Sequence, residues 1–245
     1  MSLPGGAIIP APYKERTDIS FKTGKRIVEM VFENLTPSKI MTKEAFENAV
    51  YVASAIGASS NCPPHLTAIA RHMGVDFSLD QWEKLGHSIP LLANCQPAGE
   101  HLMEGFFKAG GVPAIMKELI KDKKLNIKAL TVTGKTVEEN LNMKIDVNRD
   151  VIKTYENPLS HNAGFIVMKS NFFSSAVMKT SVISSEFRER YLSNKDSLNI
   201  FEVEAVVFEG PEDYHSRINH DNLKINENSI LIIRGCGPVG YPGSA

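Results

Sequence analysis

Cysteine is scarce in this chain of 245 residues: Cys62, Cys95 and Cys236 are the only three, and there is a single tryptophan. An odd number of widely spaced thiols with no Cys-x-x-Cys pair excludes a disulfide framework and a self-contained zinc site, so reduced thiols are expected. Charge of one sign is also lacking, with 27 Lys and Arg against 28 Asp and Glu. Without a basic excess there is no electrostatic ground for nucleic acid or an anionic membrane as partner. No run approaches the roughly 18 consecutive apolar residues of a membrane-spanning helix, and Met1-Ser2-Leu3-Pro4-Gly5-Gly6 lacks the charged and apolar regions of a signal peptide. A cytoplasmic chain is expected. Catalytic signatures are missing as well: there is no Gly-x-Ser-x-Gly elbow, no Walker ending and no His-Glu-x-x-His order. What remains is an ordinary globular composition, 42% hydrophobic and 22% charged, sufficient for one or two domains.

Residues 1–16, with Pro4, Pro10 and Pro12, read as an irregular entry. Helical spacing then places Ile27, Val28, Val31, Phe32 and Leu35 on one face, and Ala45, Phe46, Ala49, Val52, Ala53 and Ile56 on another, ending toward Gly57. Asn61 is the predicted N-cap of a helix that tolerates Pro63 and Pro64 in its first turn, buries Leu66, Ile69, Ala70 and Met73, and stops at Gly74. Ser78-Leu79-Asp80-Gln81 and Thr136-Val137-Glu138-Glu139 have the capping-box pattern. Further helices are predicted over 100–109 and 113–121. From Ala163 the period shortens, and 164–168, 176–178, 201–208 and 230–233 read as strands.

The change of period between 145 and 162 gives a domain division of 1–150 and 151–245. The fold class expected is α/β: the helical part of an N-terminal α/β domain, followed by a β-barrel-like C-terminal domain. The early helices have no companion strands, which is natural if a sheet lies outside this stretch.

Two loops offer chemistry. Gly57-Ala58-Ser59-Ser60-Asn61 sets two hydroxyls and a carboxamide beside helix N-terminal amides, suited to a carboxylate or polyol, although Ser and Asn are also ordinary capping residues. Pro238-Val239-Gly240-Tyr241-Pro242-Gly243 follows an apolar strand, where bare backbone can approach a ligand or simply turn. His65, His72, His87 and His101 lie in or beside helices, but at spacings that make no ligand pair; packing or surface positions are expected for them.

Taken in order, Met1-Ser2-Leu3-Pro4-Gly5, Gly24-Lys25-Arg26-Ile27-Val28, Ala45-Phe46-Glu47-Asn48-Ala49, Gly57-Ala58-Ser59-Ser60-Asn61 with His65-Leu66, Ile89-Pro90-Leu91-Leu92-Ala93-Asn94, Gly110-Gly111-Val112-Pro113-Ala114 and Leu130-Thr131-Val132-Thr133-Gly134-Lys135-Thr136 resemble the dihydroxy-acid and sugar-acid dehydratase family. Asn157-Pro158-Leu159 and Ile233-Arg234-Gly235-Cys236-Gly237-Pro238-Val239-Gly240-Tyr241-Pro242-Gly243 continue the resemblance. The closing loop is more similar to the aldonate dehydratases, acting on arabonate or xylonate, than to the branched-chain enzyme.

The resemblance implies loss of water from a 2,3-dihydroxy acid to give a 2-oxo-3-deoxy acid. In the family a 2Fe-2S cluster serves as Lewis acid for the departing hydroxide, Mg²⁺ polarises the acid, and a base, usually serine, takes the C2 proton. It also implies homodimers or homotetramers. The cluster cysteines, the Mg²⁺ ligands and the base belong to family segments outside this stretch. An internal fragment is therefore expected, in which the chain alone holds neither cluster nor Mg²⁺ and Cys62, Cys95 and Cys236 are structural or pocket-neighbouring thiols. Ser59, Ser60 and Asn61 are the expected substrate-binding residues, near the interdomain cleft.

Overall fold

The computed structural model describes residues 1–171, 174–192 and 202–236. Contacts gather the chain into two compact units, Met1–Val182 and Ile183–Ala245.

The first unit carries helices α1 (Glu15–Phe32), α2 (Pro37–Ile40), α3 (Lys43–Ala55), α4 (Cys62–His72), α5 (Leu79–Gly86), α6 (Met103–Lys108), α7 (Gly111–Lys121) and α8 (Val137–Leu141), then strands β1 (Phe165–Met168) and β2 (Ala176–Lys179). Each helix predicted from spacing is present. Both capping boxes form: the Gln81 side chain accepts from the Ser78 N–H at 2.7 Å, and Glu139 accepts from the Thr136 N–H at 2.8 Å. α3 is the hub. One side packs with α7 and the buried Ile89, Leu92 and Ala93, and the other meets Phe77, Trp82 and Phe165. Trp82 and Phe165 stand edge to face at 5.2 Å, the arrangement favoured by aromatic quadrupoles.

Residues 89–94 were legible in the sequence only as part of the family resemblance. They form an extended, buried segment with isolated bridges from Leu91 to Ser160 and from Ala93 to Ile152. The apolar run between Gly86 and Pro97 carries that signal, with Pro90 obscuring it.

The apolar stripe of α1 is largely uncovered, as its lack of companion strands led one to expect. Met30 and Leu35 are buried, whereas Ile27, Val28, Val31 and Phe32 remain exposed, Phe32 at 86% and Phe21 at 76%. The amphipathic stripe is there, but no element of the described residues covers it. Such a patch binds hydrophobic dyes. Replacing Phe21 and Phe32 together by serine should lower dye fluorescence while moving the melting temperature little, because neither ring is packed.

Within the same unit, Glu118 of α7 is a buried carboxylate. Lys121 Nζ and an Arg149 guanidinium nitrogen both donate to it at 2.9 Å, and the Tyr155 N–H donates at 3.4 Å. Burial alone would raise its pKa, but the two cations outweigh that and hold it below the usual carboxylate value. A pKa lower in the folded than in the unfolded state gives stability that is complete above the unfolded value, about 4.3, and lost as pH falls through the folded one. Glu118→Gln should therefore cost about 2 kcal/mol at neutral pH. That difference should shrink below pH 4 in urea titrations.

The second unit contains a short helix α9 (Ser185–Phe187) continued by a wider turn to Leu192, strand β3 (Glu204–Phe208), helix α10 (Pro211–Arg217) and strand β4 (Ser229–Ile233). Arg217 ties α10 to β3. It donates to the Val207 carbonyl at 2.8 Å and to both oxygens of Asp213, holding that carboxyl down to about 2.

The barrel-like arrangement expected for the C-terminal part is not seen in the described residues. Their strands pair two by two, β1 with β2 antiparallel and β3 with β4 parallel. Closure would need further strands at the free edges. The structure shows helices mixed with small sheets, and β1 and β2 belong to the first, mainly helical unit rather than to the second.

Candidate functional site

The turn between α3 and α4 is built by its backbone. Gly57 takes the left-handed conformation, φ +61°, its N–H donates to the Ser54 carbonyl, and the Ala58 N–H reaches back to Ala53 at 2.9 Å. A Cβ at Gly57 would stand 3.0 Å from Leu91 Cδ1, so glycine serves both the conformation and the close packing. The turn leaves Ser59 and Ser60 exposed. Ser59 Oγ accepts from the Asn61 N–H at 3.2 Å. Asn61 is in the N-cap position of α4, yet its side chain makes no capping bond. Its carbonyl accepts from the His65 N–H.

Ser59 and Ser60 line a cavity of about 490 Å³ together with Ile56, Gly57, Ala58, Ala93, Cys95, Gln96, Pro97, Met103, Phe106 and Lys179. That volume suits a small polar ligand. Asn61 is not among the lining residues, so the structure brings two of the three predicted residues to one cavity. The opposite wall, 95–97, is held in place by Asn94. Its amide oxygen accepts from the Glu100 N–H at 3.0 Å and its nitrogen donates to the Asp150 carbonyl at 3.2 Å.

Sequence reasoning missed Lys179 and Gln96 as neighbours of the loop, whereas Cys95 was expected as a structural or pocket-neighbouring thiol. Lys179 ends β2, paired with Phe165, and its Nζ donates to the Gly57 carbonyl at 3.0 Å. Burial lowers its pKa, the effect of Cys62 opposing. Burial also pushes the thiols of Cys62 and Cys95 up. A lysine closing an apolar strand was the one local hint of this arrangement.

A second cavity, of about 260 Å³, lies between residues 1–8 and α7 and is mostly apolar. Its Asn48 is engaged with Asn126 and its Asn140 with Thr131 and Thr136, so those amides are not free for a ligand. His65 and His72 lie on α4, and no group of three or more His, Cys, Asp or Glu among the described residues is placed to hold a metal. The loop predicted over 235–243 lies outside the described residues from Gly237 onward.

The family model described as Dihydroxy-acid/6-phosphogluconate dehydratase N-terminal matches residues 1–140, and its C-terminal counterpart matches 150–245. This chain belongs to that dehydratase family. Over its whole length it is 50% identical to a D-xylonate dehydratase of Caulobacter vibrioides and 43% identical to an L-arabinonate dehydratase of Rhizobium leguminosarum bv. trifolii, covering 41% of each. A dihydroxy-acid dehydratase of Acetivibrio thermocellus is 38% identical over 99% of the chain and 42% of that protein. The chain thus spans about two fifths of the length of the curated relatives it matches. No helix of the described residues is long and apolar enough to cross a membrane.

Proposed function

We propose that this chain is part of a hydro-lyase that dehydrates a 2,3-dihydroxy sugar acid to a 2-oxo-3-deoxy acid, with the loop carrying Ser59, Ser60 and Asn61 facing the substrate. The observation that carries the reading is the 50% identity to a D-xylonate dehydratase along the entire chain, against 38% to the dihydroxy-acid dehydratase. The cavity supports it. Two serine hydroxyls and the Gln96 amide suit a polyol chain, and Ile56, Ala93 and Phe106 offer apolar surface for its carbon face.

The 2Fe-2S cluster and Mg²⁺ implied by the family do not fit the described residues of this chain. A cluster needs several convergent thiolates, and among the described residues no three Cys, His, Asp or Glu side chains converge. Mg²⁺ needs carboxylates, and none lines the cavity. In our reading, their ligands and the base belong to parts of the family outside the matched stretch, as do the strands that would complete a barrel. A homodimer or homotetramer is part of the same proposal.

The test is the full protein that carries this chain, assayed for 2-oxo acid formation on a panel of aldonates and on a branched-chain 2,3-dihydroxy acid. Turnover should favour a five-carbon aldonate. Preference for the branched-chain acid would assign the biosynthetic activity instead, and an inactive protein without iron would mark a non-catalytic relative.

A further inference from the structure

We propose that Lys179 makes the cavity beside Ser59 and Ser60 a carboxylate-binding site, its ammonium pairing with the acid while the serine hydroxyls and Gln96 meet the adjoining hydroxyls. That the acid is a sugar acid rests on the function proposed above; the pairing with a carboxylate does not.

The position of Lys179 is fixed by its neighbours. It is in register with Phe165, itself wedged against Trp82. Next in the chain, Thr180 donates its N–H to the Gly164 carbonyl at 3.1 Å and its hydroxyl to the same oxygen at 2.7 Å. An ammonium has three N–H donors, and the Gly57 carbonyl takes one of them, at 3.0 Å. Among the described residues no carboxylate forms an ion pair with Lys179, in contrast to Lys108, Lys121 and Lys128, each paired with a glutamate.

Among the described residues the walls contain no acid either, and burial pushes the pKa of the lining thiol, Cys95, upward. The cavity therefore holds one cation, no counter-charge and several neutral hydrogen-bonding groups. A half-buried cation in such surroundings is poorly solvated, as the lowered pKa of Lys179 reflects. An anion entering the cavity restores the lost stabilisation. With a single cation present and hydroxyl partners beside it, a singly charged carboxylate on a hydroxylated chain matches better than a doubly charged phosphate.

The test uses the full chain at micromolar concentration and ligand-observed NMR, with acetate and D-xylonate as probes, xylitol as the neutral control and inorganic phosphate as competitor. Both acids are expected to compete for one site. Lys179→Met should weaken them about tenfold to a hundredfold, as expected for loss of a charged hydrogen-bond donor, with no change for xylitol, and Lys179→Arg should restore much of the binding. Lys179→Met also removes the bond to Gly57, so acylation of Lys179 in the unaltered chain, read by peptide mass spectrometry, provides a second measurement. Acetate should protect Lys179 and xylitol should not.

Equal acid binding by folded Lys179→Met, absence of protection by either acid, or displacement by phosphate more effective than by acetate would each overturn the carboxylate assignment. Protection by acetate but not by D-xylonate would keep the carboxylate site and count against the sugar-acid reading.

Discussion

Anaerobic iron-sulfur reconstitution of the 245-residue chain is expected to yield no stoichiometric 2Fe-2S cluster, no tight Mg²⁺ binding and no 2-oxo acid from aldonates. The expectation follows from donor chemistry. Iron clusters are held by several convergent thiolates, whereas Cys62 is half-buried and Cys95 buried. Cys236 is exposed, and the described residues contain no converging set of three His, Cys, Asp or Glu. A Lewis acid contributes several kcal/mol to dehydration of a poor leaving group, and each 1.4 kcal/mol or so is a factor of ten in rate. Lack of cluster, Mg²⁺ and base together should therefore leave no measurable turnover. Visible absorbance, iron and sulfide analysis and a 2-oxo acid assay on the same sample provide the check. A stoichiometric cluster accompanied by turnover would show that the ligands lie within this chain after all.

Replacing Gly164 by alanine is expected to destabilise the first unit by about 3 kcal/mol, the upper end of the usual overpacking cost. The reason is contact between backbones. A Cβ at Gly164 would collide with the Gly86 carbonyl at the end of α5 and stand 3.1 Å from Ser54 Oγ of α3. Neither backbone can yield easily. Gly164 precedes β1 and its carbonyl accepts two bonds from Thr180, while the Gly86 carbonyl accepts from the Ile89 N–H. Displacing β1 would also pull Phe165 from Trp82 and move Lys179, so acid binding in the cavity should weaken along with stability. Gly24→Ala provides the control. It lies inside α1 with nothing within 4 Å of the added carbon, and better helix propensity should raise stability by about 0.5–1 kcal/mol. Thermal melts of the two variants should therefore move in opposite directions. A Gly164→Ala chain as stable as the parent would show that α5 and β1 can separate without loss.

Much of this protein was determined by sequence alone, because the deciding information is local. Helix spans follow from the recurrence of apolar residues and from capping residues, as at Ser78 and Thr136, and strands β1 to β4 follow from short apolar runs between turn residues. Ser59 and Ser60 were legible as candidate ligand contacts for the same reason, since the left-handed turn at Gly57 and the start of α4 are encoded within a few residues.

Only the tertiary structure decided which amphipathic faces find a partner. The stripe of α1 has proper helical spacing, yet Val31 and Phe32 stay exposed, because burial depends on a neighbouring surface and not on the stripe. Distance along the chain likewise hid the cavity's second wall. Gln96 lies 37 residues beyond Ser59 and Lys179 lies 120 beyond it, and they reach the same cavity because Asn94 pins one wall while the register of β1 with β2 sets the other. The role of Gly164 was hidden too, since a glycine at the start of a predicted strand shows nothing of the helix backbone packed against it.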